Sequence, residues 1–310
     1  MKRVIVTGPT GTIGVALTDI LTRSGCEIYA ICRPSSANIK NLKKHSNLHI
    51  VECDISNLLS LKDKLTGPFD AFYHFAWNGT FGQARNEIDL QIKNVQYTLD
   101  AVNLAKSLDC EVFVGAGSQA EYGHFTAPAN ENTITKPFTL YGAAKLSAGQ
   151  MSRVYARNLS MKHVWVRIFS VFGPCDDSRT LVSYVIDELI AGKCPALTPG
   201  EQIWDYLYSY DAAEAMIKVA RSGKDGAVYC LGSGENRLLK EYIQDIASVV
   251  NPNVNFTFGQ KPYGENQIMF LAADINKLQK DTGFVLKYKF KDAIKEILLS
   301  RENESALIKS

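Results

Sequence analysis

Through the first half of the chain, short apolar runs alternate with stretches whose apolar residues recur every three or four positions. RVIVTG (3–8), EIYAICR (27–33), LHIVECD (48–54), AFYHFAW (71–77), EVFVGAGS (111–118) and HVWVRIFSVFG (163–173) read as six strands, apolar enough to be buried on both faces. Between them, GVALTDILTRSG (14–25), NEIDLQIKNVQYTLDAVNLAKSL (86–108) and YGAAKLSAGQMSRVYARN (141–158) carry helical periodicity, the first ended by Gly25. Strand and helix in alternation predict an α/β protein with a doubly wound parallel sheet covered by helices on both faces. Past Pro174 the pattern loosens. TLVSYVIDELIAG (180–192), LLKEYIQDIASVV (238–250) and KFKDAIKEILLS (289–300) predict helices, DYLYSYDAAEAMIKVARSG (205–223) a strand and a helix, and GAVYCLGSG (226–234) a late strand. The expected division is a sheet domain over 1–173, rejoined by the chain around 204–231, and a smaller lobe built mainly from 174–310.

Composition narrows this reading without redirecting it. The 310 residues suit one large domain or two intimate ones, and 46% apolar with 21% charged residues describes an ordinary globule. A formal charge of +2 gives no argument for nucleic acid or a membrane surface, and no apolar run approaches the roughly 20 residues that span a bilayer. The seven cysteines are scattered, with no C-x-x-C pair, which points to free thiols in a reducing cytoplasm and away from a metal site. The first strand begins at once, so no signal peptide is expected.

The first strand is broken by Gly8, Gly11 and Gly14, three residues apart, just before the first helix. A strand, a glycine turn and a helix let backbone N–H groups approach a pyrophosphate at the helix N-terminus. The spacing is G-x-x-G-x-x-G, not the G-x-G-x-x-G of other dehydrogenases. With the Thr7–Gly8 pair it resembles the extended branch of the short-chain dehydrogenase/reductase family, which holds nucleotide-sugar epimerases, dehydratases and ketoreductases. Further motifs arrive in that family's order: CDI (53–55), HFAW (74–77), NVQYT (94–98), GSQAEYG (117–123), YGAAK (141–145) and RIFSVFGP (167–174).

The resemblance implies a Rossmann-type sheet and a C-terminal lobe for substrate. It implies dinucleotide contacts from Thr7, Gly8, Thr10, Gly11, Thr12, Ile13 and Gly14 in the turn, from Asp54 and Ile55 at the adenine, and from Ala76, Asn94 and Ile168 farther along. It makes Ser118, Tyr141 and Lys145 the catalytic set, with Tyr141 and Lys145 touching the dinucleotide as well. Four residues apart on a helix, Tyr141 and Lys145 share a face. A phenol titrates near 10, and a neighbouring ammonium is expected to lower that value so that Tyr141 can exchange a proton as hydride moves. Ser118 is expected to hydrogen-bond the reacting oxygen. The family also commonly pairs into homodimers through its two central helices.

NAD enzymes place an acid at the end of the second strand for the ribose 2′-OH. Here Cys32 and Arg33 stand there, and a guanidinium pairs well with a 2′-phosphate, so NADP(H) is favoured while NAD(H) stays open. The family's dehydratases need an acid, and its 3,5-epimerases a cysteine, where this chain has Ala120. Glu121 is offset by one and would serve only if a bulge re-aimed it. Reduction of a 4-keto sugar by external NADPH, or 4-epimerisation with resident NAD, remain. A non-catalytic dinucleotide sensor fits less well, because both Tyr141 and Lys145 are retained. The expected substrate is a nucleotide-diphosphate sugar, met by Trp77, Gln119, Glu121, Ser170, Arg179 and Trp204. Three of these depart from the family pattern: Trp77 replaces a small residue, Ser170 an Asn, and Trp204 an Arg that contacts diphosphate, for which Arg179 could substitute. GEQIWDYLYSYDAAEAM (200–216) and NQIMFLAADINKLQKDTGF (266–284) look most like the 4-ketoreductases of this branch.

Overall fold

The computed structural model describes residues 1–254 and 256–309, with side chains through residue 302. In chain order the elements are β1 (Arg3–Thr7), α1 (Thr12–Arg23), β2 (Glu27–Cys32), β3 (Leu48–Glu52), β4 (Phe69–His74), α2 (Ile88–Ser107), β5 (Cys110–Ser118), α3 (Leu140–Asn158), β6 (Lys162–Ile168), β7 (Ser170–Phe172) and α4 (Leu181–Ile190). They continue with β8 (Ile203–Trp204), β9 (Tyr206–Tyr208), α5 (Ser209–Ser222), β10 (Val228–Leu231), β11 (Arg237–Leu238), α6 (Leu239–Val250), β12 (Phe270–Leu271), α7 (Asn276–Thr282) and α8 (Phe290–Lys309).

Seven strands pair in the order β10-β6-β5-β4-β1-β2-β3, every pairing parallel. Successive side chains on a strand point to opposite faces, and each face has its own apolar layer. Val4 and Val6 pack with α1 and α5 residues such as Leu17 and Met216. Ile5, Phe72 and Phe113 face the other way, onto Val102 and Leu104 of α2 and Ala156 of α3. This is the Rossmann-type α/β architecture. Because the strands are parallel, Thr7, Cys32, His74, Ser118 and Ile168 all end at the same edge of the sheet. The strand order reverses between β1 and β4, the place where such sheets open a crevice for ligands.

Two strand boundaries differ from the sequence reading. The run 163–173 is one apolar stretch but two strands. β6 ends at Ile168, and β7 leaves the large sheet to pair with β9. The fourth strand stops at His74, so Phe75, Ala76 and Trp77 open a connecting segment instead of finishing a strand.

The rest of the second half packs around a separate apolar cluster in which Val185 and Ile186 of α4 meet Ile243 and Ile246 of α6 and Ile294 and Ile297 of α8. A small sheet, β11-β8-β12, lies beside it; its two-residue strands are too short to leave a periodic signal. Asp205, fully buried between β8 and β9, accepts from the Ser233 N–H and hydroxyl and from the N–H groups of Gly234 and Ala273. One carboxylate thereby ties three separate segments of this half together.

Candidate active site

The glycine turn follows β1 directly. Gly8 has φ +67°, and a Cβ there would lie 2.8 Å from the backbone nitrogen of Ala76. A Cβ on Gly14 would lie 2.4 Å from the Gly8 carbonyl oxygen. The protein's own packing therefore requires both. Gly11 is different: a Cβ there would meet nothing nearer than the Gly8 carbonyl oxygen at 3.8 Å. Its missing side chain leaves room on the cleft side, at the N-cap of α1, where a pyrophosphate would need to come close.

The cleft, of about 360 Å³, brings together Thr7, Gly8, Thr10, Gly11, Cys32, Arg33, Ser36, Ile55, Ala76 and Trp77. Ile13 is half-buried against the core beneath the turn, and Thr12 donates through Oγ1 to Asp176 Oδ1 at 3.1 Å, linking the turn to the second half. Burial pushes the Cys32 thiol up to about 11, so the end of β2 offers no negative charge of its own. Arg33 beside it is exposed. Asp54 is tied to the turn that follows it through one carboxylate oxygen. Its Oδ1 accepts from the N–H and hydroxyl of Ser56, capping the turn that follows, and these bonds hold its carboxyl below the usual range. Of this stretch, Cys53 and Ile55 line the cleft and Asp54 does not.

Ser118 ends β5 with its hydroxyl accepting from the Ala120 N–H at 3.1 Å. Thr139 caps α3, and Gly142 in the first turn of that helix lies so close to the Ala120 carbonyl that a Cβ would come within 2.3 Å. This contact sets Tyr141 beside Ser118. One turn on, Lys145 is buried, donates to the Ala116 carbonyl at 2.7 Å, and holds its Nζ 3.8 Å from the Trp77 ring centroid.

The expected tuning of Tyr141 by Lys145 is not what this geometry gives. Lys145 Nζ is 5.9 Å from the Tyr141 ring centroid and turned toward Trp77 and Ala116. Burial pushes the lysine down to about 7 and the phenol upward, against the opposing pull of the Ser118 hydroxyl and of Arg85. Arg85, whose guanidinium carbon is 4.7 Å from the Tyr141 ring centroid, carries no periodic or motif signal and was not legible in the sequence.

Two further expectations change. Glu121 is fully buried, on a short 3₁₀ turn instead of a strand. Its Oε2 accepts from Arg167 Nε at 2.7 Å, and its Oε1 accepts from Trp165 Nε1 at 3.0 Å and from the Ser118 N–H at 2.9 Å. Both oxygens of this carboxylate are engaged inward, and Oε1 holds the Ser118 backbone. Asn94 spends both ends of its amide on the Asn78 backbone, donating to the carbonyl at 2.8 Å and accepting from the N–H at 3.0 Å. Gln91, one turn earlier on α2, accepts from Trp77 Nε1 and donates to the Gly79 and Ala84 carbonyls. These two buried amides shape the segment 75–87; a pair of amides three apart on an otherwise apolar helix face was the available signal. His74 at the end of β4 was also missed. It bonds Thr7 Oγ1 at 2.9 Å, and burial pushes its imidazole down to about 3, so it stays neutral.

Toward the second half, Ile168 lies in register with Ser118. Gln119, the next residue along from Ser118, is half-buried. The two departures Ser170 and Trp204 are partners, with Trp204 Nε1 donating to Ser170 Oγ at 2.8 Å. Arg179 is paired within its own segment. It makes a two-pronged pair with Asp177, Nε to Oδ1 at 2.7 Å and an Nη to Oδ2 at 2.6 Å, and its guanidinium carbon is 4.5 Å from the Phe81 ring centroid. Among the described residues, no helix is long and apolar enough to cross a membrane.

A glycine turn on a reversing parallel sheet, with Ser, Tyr and Lys converging at the same edge, defines a dinucleotide-dependent enzyme of the extended short-chain type. The chain belongs to the NAD dependent epimerase/dehydratase family, which matches residues 4–232, and is an NAD(P)-dependent oxidoreductase or epimerase. It is 26% identical over 303 residues to the CDP-abequose synthase of Salmonella typhimurium, covering 95% of this chain and 97% of that one. It is also 26% identical over 325 residues to the UDP-glucose 4-epimerase of Azospirillum brasilense, covering 97% and 92%. In fold it is similar to the UDP-N-acetylglucosamine 4-epimerase of Methanobrevibacter ruminantium M1, solved with UDP-N-acetylmuramic acid, with a TM-score of 0.86, 24% identity, and 97% and 99% of the two chains covered.

Proposed function

We propose that this enzyme reduces a nucleotide-linked 4-keto-6-deoxy sugar with NADPH. The observation that carries this reading is a site with one proton-transferring group and no second acid. Ala120 stands where a dehydratase would need an acid, and Glu121 is locked to Arg167. Chemistry at C4 alone is left. Likeness over nearly the whole chain to a CDP-abequose synthase supports reduction; similar likeness to a UDP-glucose 4-epimerase supports the second reading, 4-epimerisation. Arg33 beside Cys32 tips the balance, because a 2′-phosphorylated dinucleotide suits an external, exchangeable reductant.

The residues fit a dinucleotide: the bare face of Gly11 receives the pyrophosphate, Arg33 the 2′-phosphate, and Lys145 the nicotinamide ribose. When bound, the dinucleotide supplies hydride. Tyr141 gives its phenolic proton to the oxygen at the reacting carbon and regains one from solvent, and Ser118 holds that oxygen. The lobe built from 174–310 receives the nucleotide sugar, with the Trp204–Ser170 pair in its wall. With NADPH deuterated at the transferring position, the label should appear at sugar C4. Unlabelled product from two interconverting nucleotide sugars would favour the epimerase.

The cofactor assignment has its own test. Arg33→Ala should weaken NADPH binding roughly ten- to a hundredfold, the range for losing one charge-assisted bond, and leave NADH binding nearly unchanged. Titration calorimetry with both nucleotides checks this, and equal affinity of the unmutated protein for the two would contradict it.

We also propose that a second copy covers the outer face of α2 and α3, where Leu99, Met151, Val154 and Tyr155 line a shallow apolar hollow and Ile92 is 63% exposed. Sedimentation should show a dimer that Met151→Asp with Val154→Asp converts to monomer. A monomeric parent protein would contradict this.

A further inference from the structure

We infer that Arg85 supplies the fixed positive charge that faces the Tyr141 phenol. This rests on the reading of Tyr141 as the proton-transferring group, and assigns to another residue part of the electrostatic work expected of Lys145. Three observations carry it. The guanidinium carbon of Arg85 is 4.7 Å from the Tyr141 ring centroid, whereas Lys145 Nζ is 5.9 Å from it and is engaged by the Ala116 carbonyl and the Trp77 ring. No carboxylate of the described residues lies within 4.0 Å of the Arg85 guanidinium nitrogens in an ion pair. Its place in the chain is held from both sides: Gln91 Nε2 donates to the Ala84 carbonyl at 2.8 Å, and Asn86 Oδ1 accepts from the Leu140 N–H at the start of α3 at 3.1 Å. The residue before and the residue after Arg85 are thus tied to the helices that carry Asn94 and Tyr141.

The other groups around the phenol do not replace this charge. From the end of β5, Ser118 offers a neutral hydroxyl, and Glu121 acts in the opposite sense with its carboxylate bound to Arg167. From the segment after β4, Trp77 meets the ring edge-on at 6.1 Å. His74 behind Lys145 is neutral, and burial pushes Lys145, on the same helix as Tyr141, down to about 7. A guanidinium keeps its charge throughout this range. A cation at this distance favours phenolate over phenol, which makes Tyr141 a stronger acid toward the carbonyl oxygen.

In reduction Tyr141 must be protonated, so activity falls as pH rises through its titration. Removing a positive charge raises that titration, and the alkaline limb should move upward. Arg85→Gln should move the tyrosine limb of kcat/KM up by about one pH unit, one charge discounted for partial exposure. It should lower kcat and leave KM for the nucleotide sugar nearly unchanged, and Arg85→Lys should restore the limb. The same displacement should appear without turnover, in the tyrosinate absorbance that Tyr141→Phe removes, titrated with NADP⁺ present and no sugar. An unmoved limb with a raised KM would overturn the inference and make Arg85 a substrate contact; so would Arg85→Lys behaving like Arg85→Gln. Near-full activity of Tyr141→Phe would instead sink the reading of Tyr141, and the spectroscopic titration would still decide whether Arg85 governs that phenol.

Discussion

Tyr141→Phe should lower turnover by about 10²–10⁴, the range for a positioned acid–base group, with dinucleotide affinity nearly unchanged. The substitution removes one hydroxyl and keeps the ring, so the edge-on contact with Trp77 and the packing under Arg85 survive. On the proposed reading, what is lost is the proton delivered to the sugar oxygen. Lys145→Ala should lower both turnover and dinucleotide affinity, because its ammonium is assigned to the ribose as well as to the site's charge. Ser118→Ala should cost less than either and spare the dinucleotide, since water can partly replace its hydroxyl. Steady-state kinetics with direct NADP(H) titration of the three variants checks the ordering. A fully active Tyr141→Phe would place the proton elsewhere, and Glu121 is a poor successor because both of its oxygens are engaged inward.

The second large effect concerns stability. Glu121→Ala should destabilise the fold by about 3–5 kcal/mol, because it leaves Arg167 buried without its counter-charge. The side chains of Arg167 and Glu121 are only 5% and 1% exposed, so water cannot make up the loss. The Trp165 indole N–H and the Ser118 N–H lose an acceptor in the same step. For a chain of this size that corresponds to a fall in Tm of about 5–8 °C. Glu121→Gln keeps an acceptor and the volume and should fall between the two. Differential scanning calorimetry reads the effect directly; an unchanged Tm with lost activity would return Glu121 to a role in the chemistry.

The sheet and its helices were legible because parallel strands buried on both faces leave apolar runs, and their helices leave a 3.6-residue period. The glycine turn was legible because Gly8 and Gly14 answer to backbone clashes that no other residue could relieve. Four kinds of feature stayed hidden. The 163–173 run could not announce that it divides, because β6 and β7 are equally apolar and only pairing partners distinguish them. The inward turn of Glu121 could not be read from a residue count, since a 3₁₀ turn after Ser118 replaces the alternation of a strand. Arg85 comes from a segment with no period, and its role, like that of Gln91 on α2, exists only once α2 and α3 bring them to Tyr141 and Trp77. Trp204 and Ser170 were each legible as departures from a family pattern, but their hydrogen bond was not. They lie 34 residues apart on strands of different sheets.

The reductase reading is tested most directly by mixing the purified enzyme with a nucleotide-linked 4-keto-6-deoxyhexose and NADPH, and following reduced-nucleotide absorbance alongside the sugar products. One NADPH should be consumed for each sugar reduced, yielding a single 4-hydroxy epimer. Interconversion of two nucleotide sugars, with no added dinucleotide and no net change in that absorbance, would contradict the account and make the enzyme a 4-epimerase.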